Sequence, residues 1–180
     1  MTALNCENSV CIVVDIQERL TPALHEGEAM VEKSRLLLQG LQALEVPLLV
    51  TEQYPKGLGA TVAAVKLLLG DAPLFEKTRF SAFTDEVAAA LQAHGAQNVI
   101  LAGAEAHVCM LQTALDLRAA GYGVYVPFEC TTSRSILNRV NALEQMAAAG
   151  VVVSNVESVL FQLLGDAKHP AFKTVSKLIQ

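Results

Sequence analysis

Apolar residues along this chain fall into short unbroken runs, separated by longer stretches in which they recur every three or four positions. Residues 9–14 form a largely β-branched run that closes on Asp15, and residues 46–51 form a second run that contains Pro47 near its start. Such runs predict strands buried on both faces. Between them, residues 28–44 place Met30, Leu37, Leu41 and Leu44 at helical spacing with charged residues interspersed, which predicts an amphipathic helix. The alternation continues with helices over 61–69, 84–94, 109–120 and 135–149 and strands over 74–76, 98–102, 123–126 and 151–154. Helices over 157–164 and 170–179 close the chain. Thr84 stands where a helix N-cap belongs and Gly150 where a helix-terminating glycine belongs.

Six short apolar strands alternating with helices imply a three-layer α/β, Rossmann-like fold. Its mostly parallel six-stranded sheet has the order 3-2-1-4-5-6 and right-handed crossovers. No Pro/Gly/Ser-rich or charged linker divides the 180 residues, so residues 1–180 read as one domain. In such a sheet the functional site lies beyond the carboxyl ends of the strands, near the point where strand order reverses.

Composition narrows the possibilities. A hydrophobic fraction of 52% against 17% charged residues leaves apolar surface for a large core or for subunit contacts, so a homo-oligomer (dimer or tetramer) is expected. No apolar run approaches the ~20 residues needed to cross a bilayer. The first seven residues lack a basic segment followed by an apolar stretch, which points to a cytoplasmic protein. Cys6, Cys11, Cys109 and Cys130 form no CxxC pair, arguing against a zinc knuckle or dithiol motif. With a net charge of −5 and no Lys/Arg cluster, the chain offers no face for nucleic acid.

Three polar residues fall just past strand ends: Asp15 after the first, Lys77 after the third, and Cys109 six residues beyond Gly103 at the start of a helix. Singly, they read as a turn cap, a surface charge and a buried small hydrophobe. Together they describe a thiol whose ionised form is favoured by a helix N-terminus and an ammonium group, with a carboxylate to take the proton. Such a trio needs no cofactor and no metal.

The segments that carry these residues are Val13-Val14-Asp15-Ile16-Gln17, Phe75-Glu76-Lys77-Thr78-Arg79-Phe80-Ser81-Ala82-Phe83 and Ala102-Gly103-Ala104-Glu105-Ala106-His107-Val108-Cys109. They closely resemble the three site motifs of the isochorismatase-like cysteine hydrolases, and the resemblance runs from about residue 9 to 164. It implies that Asp15 is the general base, Lys77 the positioning and electrostatic residue, and Cys109 the nucleophile. It also implies an oxyanion hole built from the backbone N–H groups of Glu105 and Cys109, with a cis peptide between Ala104 and Glu105. The nicotinamidase branch of that superfamily carries an Asp/His metal motif after the second strand. Here that segment reads Thr51-Glu52-Gln53-Tyr54-Pro55-Lys56-Gly57-Leu58-Gly59, with Tyr54 where a histidine ligand belongs. The segment instead resembles that of the isochorismatase domain-containing proteins.

The expected reaction is hydrolysis of a C–N amide-type bond in a small-molecule substrate through a thioester on Cys109. Two other readings remain: an enol-ether hydrolase, since some relatives act on that bond, and a catalytically silent binding or scaffold protein that keeps the fold. Gln17, Tyr54, Phe80 and His107 are candidate substrate contacts, each with a packing or turn-ordering role as the alternative. No metal site, cofactor or phosphate-binding loop is expected.

Overall fold

The computed structural model describes residues 3–180; Met1 and Thr2, within the segment read for a leader, lie outside the described residues. At its centre runs β1 (Ser9–Val14), with all six residues buried. It is flanked by parallel partners on both sides, β2 (Leu48–Gln53) and β4 (Asn98–Ala104). This two-sided pairing explains why β1 reads as a continuous apolar run rather than an alternating one. Period-two geometry divides its residues between two cores. Cys11 and Val13 join one cluster with Ile100 and Ala102, whereas Val10, Ile12 and Val14 join the other with Val99 and Leu101.

Each core is closed by helices. On the first face lie α1 (Gly27–Ala43) and two C-terminal helices, α7 (Val156–Leu164) and α8 (Phe172–Leu178). They contribute Leu37, Leu38, Leu41, Leu160, Leu163 and Val175. On the second face lie α4 (Asp85–Ala93), α5 (Leu111–Ala119) and α6 (Ile136–Ala148), which contribute Val87, Leu91, Ala114, Leu117 and Met146. The Thr84 side chain caps α4 by accepting from the Val87 N–H, and Gly150, at φ 81°, follows the end of α6. Both positions are those their sequence pattern predicts.

The sheet has seven strands rather than six. Its order is β3-β2-β1-β4-β5-β7, with β3 spanning Leu74–Lys77, β5 Gly123–Pro127 and β7 Val152–Ser154. The additional strand, β6 (Thr131–Thr132), pairs with the carboxyl end of β4 at Gly103 and Ala104. The expected order therefore holds, with β7 in the place of the predicted sixth strand. Two threonines carry no apolar run to mark them as a strand. The helix predicted over 61–69 shortens to α3 (Ala63–Lys66), preceded by a one-turn α2 (Pro55–Leu58). Among the described residues, no helix is long and apolar enough to cross a membrane.

Candidate active site

The strand order reverses on either side of β1, and the carboxyl ends of β1, β2, β3 and β4 meet there. Asp15 directly follows β1 in the left-handed region at φ 53°, a conformation that aspartate tolerates better than most residues. Its N–H still donates to the Thr51 carbonyl at 3.1 Å, continuing the ladder to β2. Lys77 is the last residue of β3. Its ammonium donates to Asp15 Oδ2 at 2.6 Å, and the two side chains are 1% and 0% exposed.

The rest of the ammonium's shell comes from Gln53 Oε1 at 2.8 Å, the Phe80 carbonyl at 3.0 Å and the Arg79 carbonyl at 3.2 Å. The other carboxylate oxygen, Asp15 Oδ1, accepts from Thr51 Oγ1 at 2.8 Å. A buried ion pair is tolerable only when its remaining hydrogen-bonding positions are filled in this way.

Cys109 lies in a π-helical turn, Ala106–Met110, that runs from the end of β4 into α5. At Gly103, φ is 145° and a Cβ would collide with the Val14 carbonyl, so β4 can pass this close to β1 only with glycine there. The Cys109 carbonyl accepts from Thr113 Oγ1 at 2.6 Å, and the same hydroxyl accepts from the Ala82 N–H at 2.7 Å. Thr113 thus ties the cysteine turn to the loop that leaves Lys77.

The thiol is nearly buried, and burial is the largest influence on it, pushing its pKa up to about 12. The neighbouring Asp15 carboxylate raises it further by charge and hydrogen bonding, while Lys77 acts in the opposite direction. Lys77 thus favours the thiolate, as its charge implies, while burial and the Asp15 carboxylate oppose it. Desolvation and the carboxylate outweigh the lysine, which raises the Cys109 pKa above that of an ordinary thiol.

Glu105, just past β4, follows a cis peptide bond from Ala104. Its carbonyl accepts from the N–H groups of Val108 and Met110, at 3.1 and 3.2 Å. Its buried carboxylate accepts from the Arg134 N–H at 2.9 Å and from Arg134 Nε at 3.1 and 3.2 Å.

The four candidate substrate contacts divide. Gln17 is fully buried, and its amide is spent on the chain itself. Nε2 donates to the Gln53 and Gly59 carbonyls at 3.0 and 2.7 Å, and Oε1 accepts from the Gln53 N–H at 2.8 Å. These bonds brace the loop. His107 holds Ser133 Oγ through Nδ1 at 2.9 Å and meets Asn138 through Nε2 at 3.4 Å, the turn-ordering arrangement. Tyr54 and Phe80 are 56% and 53% exposed on the loops that leave β2 and β3. Glu52, in the segment compared with a metal motif, directs Oε1 to the N–H and hydroxyl of Thr61 at 2.6 and 2.8 Å.

The structure adds Thr51, Gln53, Thr113 and Arg134 to the site. Thr51 and Gln53 could have been found as polar residues at the carboxyl end of a strand next to β1, and Thr113 as the residue one helical turn after Cys109. Arg134 had no such signal.

The isochorismatase domain family matches residues 9–158. The chain belongs to that family. This isochorismatase-family chain is 43% identical over 173 residues to isochorismatase domain-containing protein 1 of Salmo salar, covering 96% of this chain and 61% of that protein. It thus spans under two thirds of that relative's length. Isochorismatase domain-containing protein 2 of Xenopus laevis is 40% identical over 173 residues, covering 96% of this chain and 83% of that protein. A solved structure described as the MAR1 ribonuclease of Caenorhabditis elegans superposes with a TM-score of 0.95 at 40% identity, covering 99% of this chain and 92% of that one.

Proposed function

We propose that this isochorismatase-family protein is a cysteine-dependent hydrolase that cleaves a C–N amide-type bond of a small molecule. The observation that carries this reading is the Cys109 thiol set against a buried Asp15–Lys77 ion pair. A neutral thiol beside a carboxylate is the starting state for concerted general-base attack. Asp15 takes the thiol proton as Sγ bonds to the substrate carbonyl carbon. Two electrons of the C=O bond move to oxygen, where the N–H groups of Glu105 and Cys109 form the oxyanion hole.

Collapse breaks the C–N bond, and Asp15 returns the proton to the departing amine. Water then attacks the thioester and gives a proton to Asp15. The carboxylic acid leaves, and Cys109 recovers its proton from Asp15. Lys77 keeps the carboxylate in place and its charge lowers the cost of forming sulfur anion. Each step is completed by protein groups and water.

Tyr54 and Phe80 are the residues we assign to substrate contact, since both are exposed next to residues that hold Lys77, Gln53 and Arg79. A homo-oligomer belongs to the same reading, because Ile136, Leu137 and Val140 on α6 leave apolar side chains exposed, Leu137 by 75%. So does a cytosolic setting, in which the four free cysteines stay reduced.

RNA cleavage is a second reading, favoured by the description of the C. elegans structure. The charge balance of 13 basic against 18 acidic residues weighs against it, because RNA binding draws on clustered cations. A panel of small amides, an enol ether and a single-stranded RNA, each with Cys109→Ala as control, separates the readings. Turnover of an amide that is lost in Cys109→Ala supports the proposal. Cleavage of RNA or the enol ether alone, or of nothing, contradicts it.

A further inference from the structure

Two side chains of the nucleophile turn are clamped to one short segment on the far side of β4. Glu105 is held by Arg134, and His107 by Ser133. The segment is itself anchored. β6 pairs with the end of β4, the Ser133 carbonyl accepts from the His25 N–H at 3.0 Å, and Thr132 Oγ1 donates to the His25 carbonyl at 2.7 Å. Resting on the hydrolase reading, we infer that Arg134 is a positioning residue for the oxyanion hole, acting through the carboxylate of Glu105.

Several bonds fix Glu105. The Glu105 carbonyl is bonded to the Val108 and Met110 N–H groups and its carboxylate to Arg134, so the residue whose N–H the hydrolase reading assigns to the oxyanion hole is held from both its backbone and its side chain. A donor that stabilises a transition state does so only if it is aimed before charge develops, so the groups that hold it contribute to rate without touching substrate. The carbonyl bonds belong to the turn itself. Arg134 supplies the contact from outside it, with the planar Nε edge meeting both carboxylate oxygens. Lysine cannot reproduce that planar contact. The Arg134 side chain is 65% exposed, so its removal opens no core cavity, and its backbone N–H bond to Glu105 survives substitution.

Acyl transfer and alkylation separate this role from a structural one. Attack on an ester passes through an oxyanion, whereas alkylation by iodoacetamide displaces iodide without one, and both need the same thiol. The probe is 4-nitrophenyl acetate. Sulfur bonds to the acetyl carbon, 4-nitrophenolate leaves, and the thiol proton passes to Asp15 and then to solvent. Rates are corrected with Cys109→Ser.

In Arg134→Ala the maximal acylation rate should fall about 10-fold, below the 10²–10³ seen when an oxyanion donor is removed outright. Half-saturation and the alkylation rate of Cys109 should stay within about twofold of wild type. Arg134→Lys should recover only part of the loss, and Glu105→Gln, which removes the ionic contact from the other side, should reproduce it. Acylation unchanged in Arg134→Ala, or acylation and alkylation falling in parallel, overturns the inference. A wild-type protein with no Cys109-dependent release of 4-nitrophenolate would overturn the hydrolase reading and the inference with it. That outcome is distinct from failure of the latch alone, which leaves wild-type release intact.

Discussion

Lys77 Nζ lies 2.6 Å from Asp15 Oδ2, in a pocket that leaves neither side chain open to solvent. The pair is held by Thr51 on the carboxylate side and by Gln53 and two backbone carbonyls on the ammonium side. Removing one partner strands the other as a buried charge, which costs roughly 3–5 kcal/mol where it has been measured. Lys77→Met should therefore lower unfolding free energy by about that amount in urea titrations and abolish turnover. The double substitution Asp15→Asn/Lys77→Met should recover much of the stability with no activity. Equal stability of the single and double variants would show that the two groups are not coupled.

The Cys109 thiol gives a pH prediction. Its pKa is pushed up to about 12, with Asp15 raising it and Lys77 lowering it. Alkylation of Cys109 by iodoacetamide should rise with pH well beyond the value for an ordinary thiol. Asp15→Asn should move that profile to lower pH, and Lys77→Ala should move it higher. Cys6, which is only partly buried and donates to the Leu163 carbonyl at 3.5 Å, provides a less buried thiol for comparison. Peptide mapping after timed labelling at several pH values reads all four cysteines, and a Cys109 profile unchanged in Asp15→Asn would contradict the assignment.

Linkage extends this to stability. Burial pushes the Cys11 and Cys109 thiols up to about 12 and the Cys130 thiol well above its ordinary value. Above about pH 9 the unfolded chain releases these protons while the folded chain keeps them. Their contribution is complete below that pH and declines as pH rises through the folded values, by about 1.4 kcal/mol per pH unit for each thiol. Thermal denaturation between pH 8 and 11 should show the decline, and Cys11→Ala should flatten it.

Gln17, a candidate substrate contact, braces the loop that follows β2. Its three hydrogen bonds join Gln53 and Gly59, and burial of the partners left without it costs about 1–3 kcal/mol each. Gln17→Leu should destabilise the protein by several kcal/mol, read by urea unfolding. Unchanged stability with a raised KM would restore the substrate-contact reading.

The strand order and the position of the site at the carboxyl ends were legible because two-sided burial writes apolar runs into β1, β2 and β4. Asp15 and Cys109 stand out as candidates because they come after the runs of β1 and β4, whereas Lys77 ends β3, a short strand with only Leu74 and Phe75 to mark it. What the sequence could not express was side-chain direction and solvation. Gln17 and Phe80 both follow strand ends, yet one is fully buried and the other is half exposed. A cysteine past a strand end reads as accessible and activated, and only the packed structure shows that burial dominates its ionisation. β6 escaped detection because Thr131 and Thr132 form a strand through pairing with β4 alone, and the Arg134 latch depends on where that strand delivers the chain.

Covalent trapping tests the central claim most directly. The wild-type protein, quenched with acid during turnover of an amide it cleaves and digested at low pH, should carry one acyl group on the peptide containing Cys109. That group should be released by hydroxylamine, as a thioester is, and should be absent in Cys109→Ser and strongly reduced in Asp15→Asn. Amide turnover with no acyl group on Cys109 under conditions that accumulate intermediate, or turnover that survives in Cys109→Ser, would contradict the account.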